Sequence, residues 1–118
     1  MTLLHICGSN DWPPAGPHYR TPTFDGDGFI HLSRADQVDR PANRLYQGRH
    51  DLVLLVIDET ELSNEVRWEP SAVPEEDGEL FPHLYGDLSV AAVTEVVPFP
   101  PGADGIFSLP RTLEWLVR

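Results

Sequence analysis

The 118-residue chain has a single cysteine, Cys7, so no disulfide can form within it, and the apolar phrase Leu4-His5-Ile6-Cys7 suggests a buried thiol rather than an exposed nucleophile. Basic charge is scarce as well. Eight basic residues against nineteen acidic ones give a formal net charge of −11 at pH 7. Such a field repels phosphate backbones and anionic lipid surfaces, which argues against polymeric nucleic acid or a membrane as partner. A local pocket for one small anionic ligand remains open, with Arg40, Arg44, Arg49 and Arg67 available to supply it. No stretch approaches the roughly 20 apolar residues that cross a bilayer, and no basic segment followed by an apolar one opens the chain. The expectation is a soluble protein of the reducing cytosol. There is also no G-x-G-x-x-G and no P-loop, so a dinucleotide cannot be held in the Rossmann or Walker manner. CxxC, HExxH and His-x-His spacings are lacking too, and no metal is expected.

Length and a hydrophobic content of 41% suit one domain, residues 1–118, with a single core. Three histidines sit inside apolar, strand-like phrases: Leu4-His5-Ile6-Cys7, Gly28-Phe29-Ile30-His31-Leu32-Ser33 and Phe81-Pro82-His83-Leu84-Tyr85-Gly86. An imidazole in such a place reaches a partner inside the fold or lines a half-buried cleft, because leaving it unpaired costs about 1–3 kcal/mol. Three of them point to a cleft. His18 and His50 lie beside turn or charged residues and read as exposed.

Leu3 to Cys7 reads as a first strand, ended by Gly8-Ser9-Asn10-Asp11. Prolines at 13, 14, 17 and 22 make regular helix improbable between Trp12 and Asp27, a stretch long enough to be a lid or binding loop. Phe29 to Leu32 forms the next strand. Ser33 then suits the N-cap of a helix over Arg34–Val38, and Pro41 the first turn of a second short helix ending near Gly48. Asp51 to Asp58 is a continuous apolar run bounded by charge, the mark of a central strand covered on both faces. Glu65-Val66-Arg67-Trp68-Glu69 alternates, putting Arg67 and Glu69 on one face. Residues 70–79 read as a solvated acidic loop, Ala91 to Phe99 as a further strand, and Pro110 opens a terminal helix or strand that packs on the sheet. The sum is an α+β domain dominated by antiparallel strands.

Several local pairs invite chemistry. His5 and Cys7, two apart on a strand, point the same way; a core histidine beside a buried thiol accounts for them more simply than a metal site with His31 and His83 as distant ligands. His31 and Ser33 share a face as a base and a hydroxyl would, but no G-x-S-x-G elbow is present and the N-cap role already employs Ser33. Glu69 suits either a general base or cation-stabilising carboxylate, or a surface ion pair with Arg67. Tyr85 suits stacking on a flat ligand or filling the core.

Taken in order, His5-Ile6-Cys7, Trp12, Tyr19, Gly28 to Ser33, Gln37-Val38, Ala42-Asn43, Asp51 to Leu55, Ile57-Asp58, Glu69 and Phe81 to Gly86 resemble the domain of unknown function 952 from His5 to about Pro98. That resemblance implies an ADP-ribosyltransferase-like fold, in which split antiparallel β-sheets with a few short helices hold NAD in a cleft without a Rossmann motif. It further implies His5 at the adenosine ribose, and His31 with Ser33 at the second-strand position. Glu69 or His83 would act at the nicotinamide ribose, and Tyr19 or Tyr85 would stack on the nicotinamide. In that scheme Glu69, His83 and His31 are the catalytic candidates and NAD, or a related small nucleotide, is the substrate. The superfamily's RNA 2′-phosphotransferase branch also uses histidines and arginines, but the acidic charge opposes a long RNA. Where the family ordinarily has an alanine-containing helix after Trp12, this chain has Pro13-Pro14-Ala15-Gly16-Pro17. The alternative from another class is a non-catalytic module that binds a small metabolite or a peptide end in the same cleft.

Overall fold

The structure is a computed structural model describing residues 1–72 and 74–118. In chain order its elements are β1 (Thr2–Gly8), β2 (His18–Tyr19), α1 (Phe24–Asp27), β3 (Ile30–His31), α2 (Asp39–Leu45), β4 (Leu52–Asp58), β5 (Glu65–Glu69), β6 (Phe81–Tyr85), β7 (Leu88–Ser89) and β8 (Val93–Pro98). The strands make two three-stranded antiparallel sheets, ordered β1-β4-β8 and β3-β6-β5, and a small β2-β7 ribbon. The architecture is thus α+β, with antiparallel sheets and few helices.

β4 is the central strand of its sheet because both of its faces are apolar. Leu52, Leu54 and Val56 pack with Leu4, Val38, Ala42, Phe99, Phe107 and Leu113 on one side, while Leu55 and Ile57 pack with Leu3, Cys7, Tyr19, Ile30, Leu84 and Leu88 on the other. Alternation along one strand therefore serves two cores. The sheets meet where β1 approaches the end of β3: Leu4 and Ser33 exchange both backbone hydrogen bonds at 2.8 Å.

That bridge changes the reading of Ser33. Its backbone is consumed by Leu4, so it does not cap a helix; Gln37 instead accepts from the Arg34 backbone N–H at 3.0 Å, and residues 35–38 form turns before α2 begins at Asp39. Pro41 lies in the first turn of α2, where no intrahelical donor is needed. The proline-rich stretch holds two short regular pieces, β2 and the single turn α1, which Gly28 closes in a left-handed conformation (φ 81°) while donating to the Phe24 carbonyl at 2.7 Å. β8 starts at Val93, since residues Val90–Ala92 form a 3-10 turn, and the terminal segment Arg111–Val117 is a 3-10 helix whose Leu113 enters the core.

The acidic loop is anchored rather than free. Arg40 holds Asp77 at 3.0 Å, Arg44 holds Glu75 at 3.0 Å, and Arg34 with Gln37 holds Glu79. These residues on and just before α2 pull the described part of the 70–79 segment across one end of the second sheet. No helix among the described residues is long and apolar enough to cross a membrane.

Candidate functional site

Period-2 alternation in the second sheet sends Ile30, Val66 and Leu84 toward the core and turns the intervening side chains outward. Register then aligns them. His31 pairs with His83 and His83 with Arg67, while Glu69 sits opposite Phe81 and Glu65 opposite Tyr85.

His83 is the focus of that face. The residue is 3% exposed, and Phe29 stacks on its ring with centroids 4.0 Å apart and planes within 15°. Nδ1 lies 3.0 Å from Glu69 Oε1, which also accepts from the Tyr85 hydroxyl at 2.5 Å. These two hydrogen bonds, Tyr85 first, hold the Glu69 carboxyl below its ordinary range. Burial, opposed in part by Glu69, lowers the His83 imidazole below its own. A neutral ring that donates from Nδ1 to a carboxylate presents Nε2 as a lone-pair acceptor. Nε2 is buried, and among the described residues no hydrogen-bond partner reaches it.

His31 stands edge-on to His83, centroids 5.4 Å apart, and its Nε2 donates to Asp27 Oδ2 at 3.1 Å. Two imidazole–carboxylate pairs thus share one cleft of about 390 Å³, lined by Asp27, His31, Ser33, Arg44, Phe81 and His83 and walled at the sheet junction by the His5 ring. α1 delivers Asp27, α2 delivers Arg44, and β3 with β6 supply the floor.

His5 is differently employed. Its Nδ1 donates to the His31 carbonyl at 2.7 Å and its Nε2 accepts from the Tyr19 hydroxyl at 3.1 Å, while the Cys7 thiol donates to Tyr19 Oη at 3.5 Å. Burial pushes the His5 imidazole down to about 4 and pushes the Tyr19 hydroxyl and the Cys7 thiol up. This closed chain of neutral groups ties β1 and β2 to the His31 backbone.

Of the residues singled out in the sequence, His5, His31, Ser33 and His83 come together at the cleft. Tyr19 is buried behind His5 with its ring edge against Trp12. Glu69 and Tyr85 stand behind His83 rather than along the cleft wall. Of the two readings of Glu69, the ion pair with Arg67 gives way to other contacts: Arg67 binds Glu65 at 2.9 Å and lies over the Tyr85 ring at 4.4 Å. Asp27 and Phe29 were not anticipated. Only their closeness to His31 across Gly28 hints at them, since the turn that brings Asp27 back over His31 is set by the fold. Among the described residues no group of three or more His, Cys, Asp or Glu side chains is placed to hold a metal ion.

The overall fold is similar to that of solved structures. The crystal structure of protein CC0527 from Caulobacter crescentus is 30% identical and superposes with a TM-score of 0.81 over 100% of both chains. The crystal structure of a double mutant of that protein gives 0.80 at 29% identity, again over 100% of both chains. Its solution structure gives 0.73 at 30% identity, over 97% of this chain and 95% of that one. No curated protein matches the chain. The family model described as protein of unknown function (DUF952) matches residues 6–96, a span holding both imidazole–carboxylate pairs, and the chain belongs to that family.

Proposed function

We propose that the cleft binds NAD or a related nucleotide and cleaves its bond between nicotinamide and ribose, in a domain of ADP-ribosyltransferase-like fold. Split antiparallel sheets with a cleft at their junction support the fold assignment. The observation that carries the function is His83 Nε2, a buried acceptor with no donor among the described residues. An unsatisfied buried acceptor costs about 1–3 kcal/mol, and a ligand hydroxyl or amide would relieve that cost. The nicotinamide-ribosyl half, rich in such donors, fits this floor.

In this reading the ligand donor at His83 Nε2 gives way to a water or alcohol, and Nε2 takes that molecule's proton as its oxygen bonds to the ribosyl carbon. The bond from that carbon to the nicotinamide nitrogen breaks, and its electron pair stays on nitrogen. Glu69 is a positioning residue: it holds the His83 tautomer and stabilises the imidazolium that forms, the role a carboxylate plays behind a catalytic histidine. The expectation that Glu69 itself faces the developing cation gives way to action through His83.

The test is calorimetric titration with NAD, followed by assay of the same mixture for released nicotinamide. His83→Gln should lower turnover on the order of 10²–10⁴-fold, the usual worth of a general base. Glu69→Gln keeps an acceptor for Nδ1 but removes the charge, so turnover should fall while binding is kept. Unchanged turnover in His83→Gln, or no binding at millimolar concentration of either NAD or its nicotinamide-ribosyl half, would overturn the reading. One observation favours the second reading, a binding module without turnover: Nε2 is buried at the cleft floor and the ring is held by Phe29, a fixed acceptor that suits recognition as well as proton transfer. That reading predicts binding with no nicotinamide released.

A further inference from the structure

Electrostatics narrows the ligand. Arg44 is the only lysine or arginine along the cleft among the described residues, and its guanidinium is already bound to Glu75 at 3.0 Å. Arg40, beside it on α2, is bound to Asp77. Asp27 lines the cleft directly, and Glu69 lies 3.0 Å behind His83. His83 Nε2 offers a lone pair, not a proton, to whatever reaches the floor. A pyrophosphate entering here meets carboxylates and occupied guanidiniums, within a molecule of net charge −11. The cleft volume, about 390 Å³, is also near the lower end of small-molecule sites, which run from about 300 to 1,000 Å³.

We infer that the cleft takes a cationic, phosphate-free nucleoside, an N-ribosyl pyridinium such as nicotinamide riboside, in preference to a dinucleotide. Asp27 is then the carboxylate that faces the ligand's positive ring, held in place by His31, and His83 Nε2 accepts from an uncharged donor on the ligand, a ribosyl hydroxyl or the carboxamide. This rests on the reading of the cleft as a site for the nicotinamide-ribosyl unit and assigns its preferred form. It also gives a use to the second imidazole–carboxylate pair, for which the proton transfer at His83 has none.

The test titrates the protein separately with nicotinamide riboside and with NAD by calorimetry, at low and at high salt. The riboside should bind about tenfold more tightly than NAD, a gap of ~1.4 kcal/mol. Raising the ionic strength should weaken riboside binding, because it screens the attraction to Asp27. Asp27→Asn should weaken the riboside by about tenfold and NAD by less, because in NAD the lost attraction to the pyridinium is offset by relieved repulsion of the pyrophosphate. The salt series in the unaltered protein decides the matter even where the variant folds poorly. NAD binding as tightly as the riboside, or riboside affinity indifferent to both salt and Asp27→Asn, would overturn this inference and leave the nucleotide reading standing. Binding of neither compound would overturn both.

Discussion

At the scale of the residue, two histidines in similar apolar phrases have opposite fates. His5 has both nitrogens satisfied inside the protein and so acts as a structural tie, whereas His83 has one nitrogen fixed by Glu69 and the other left over. Nothing in the flanking residues separates the two cases. Each imidazole is bordered by apolar neighbours, and the difference comes from what the chain brings across: Tyr19 from 14 residues away for His5, Glu69 from 14 residues away for His83. His5 also gives a pH prediction. Burial lowers its pKa to about 4 in the fold against 6.5 in the unfolded chain, so between those values the unfolded state binds more protons and stability falls as pH falls. The loss should reach on the order of 3 kcal/mol by pH 4 and then stop growing from this group. His5→Gln, whose amide can still donate to the His31 carbonyl and accept from Tyr19, should flatten that part of the profile in urea unfolding measured from pH 7 to 4. A profile unchanged by the substitution would show that His5 does not govern it.

At the scale of the element, the sequence was most legible where side-chain periodicity is strong. β4 is the apolar run with both faces covered, while β5 alternates from Glu65 to Arg67 but leaves Trp68 exposed and Glu69 half-buried. It was least legible where the backbone is claimed by a distant partner. Ser33 has the residue type of a helix cap, but its backbone is paired with Leu4, and local propensity yields to that bridge. The described part of the acidic segment is solvated as its composition suggests, and what the composition does not show is that arginines on α2 and the turn before it fasten it. α2 is fastened in turn by Asn43, whose amide nitrogen donates to the Phe107 carbonyl and whose amide oxygen accepts from the Phe107 N–H, at 2.9 and 2.8 Å. This two-way clamp holds the segment after β8, and with it Phe107, against the core. Asn43→Ala leaves both backbone groups without that partner and should destabilise the fold by about 1–3 kcal/mol, read as a lower denaturation midpoint at unchanged slope. A cost within about 0.5 kcal/mol, the range of ordinary surface changes, would show that the clamp is dispensable.

At the scale of the whole molecule, the two sheets share one edge contact and the cleft lies beside it, so ligand-facing groups are drawn from α1, β3, α2 and β6 together. His5, His31 and His83 are recognisable in the sequence as cleft residues because each sits in a strand phrase, whereas Ser33, by residue type a helix cap, is placed at the site only by the family resemblance. Asp27 was hidden in a proline-rich stretch, and the placement of Glu69 behind His83 needed the β5–β6 register. The charge is likewise a property of the whole: the chain contains no lysine, and Arg20, Arg34, Arg40, Arg44, Arg49 and Arg67 are all matched with carboxylates. An acidic molecule with its cations so engaged is suited to hold a neutral or positive ligand rather than a polyanion. The central claim is that His83 presents a bare Nε2 to that ligand. Nitrogen-15 NMR of the histidine rings at neutral pH tests it most directly. His83 should carry its proton on Nδ1, with Nε2 unprotonated and its resonance moving when nicotinamide riboside is added. A proton on Nε2, or an Nε2 resonance indifferent to the riboside and to NAD alike, would contradict it.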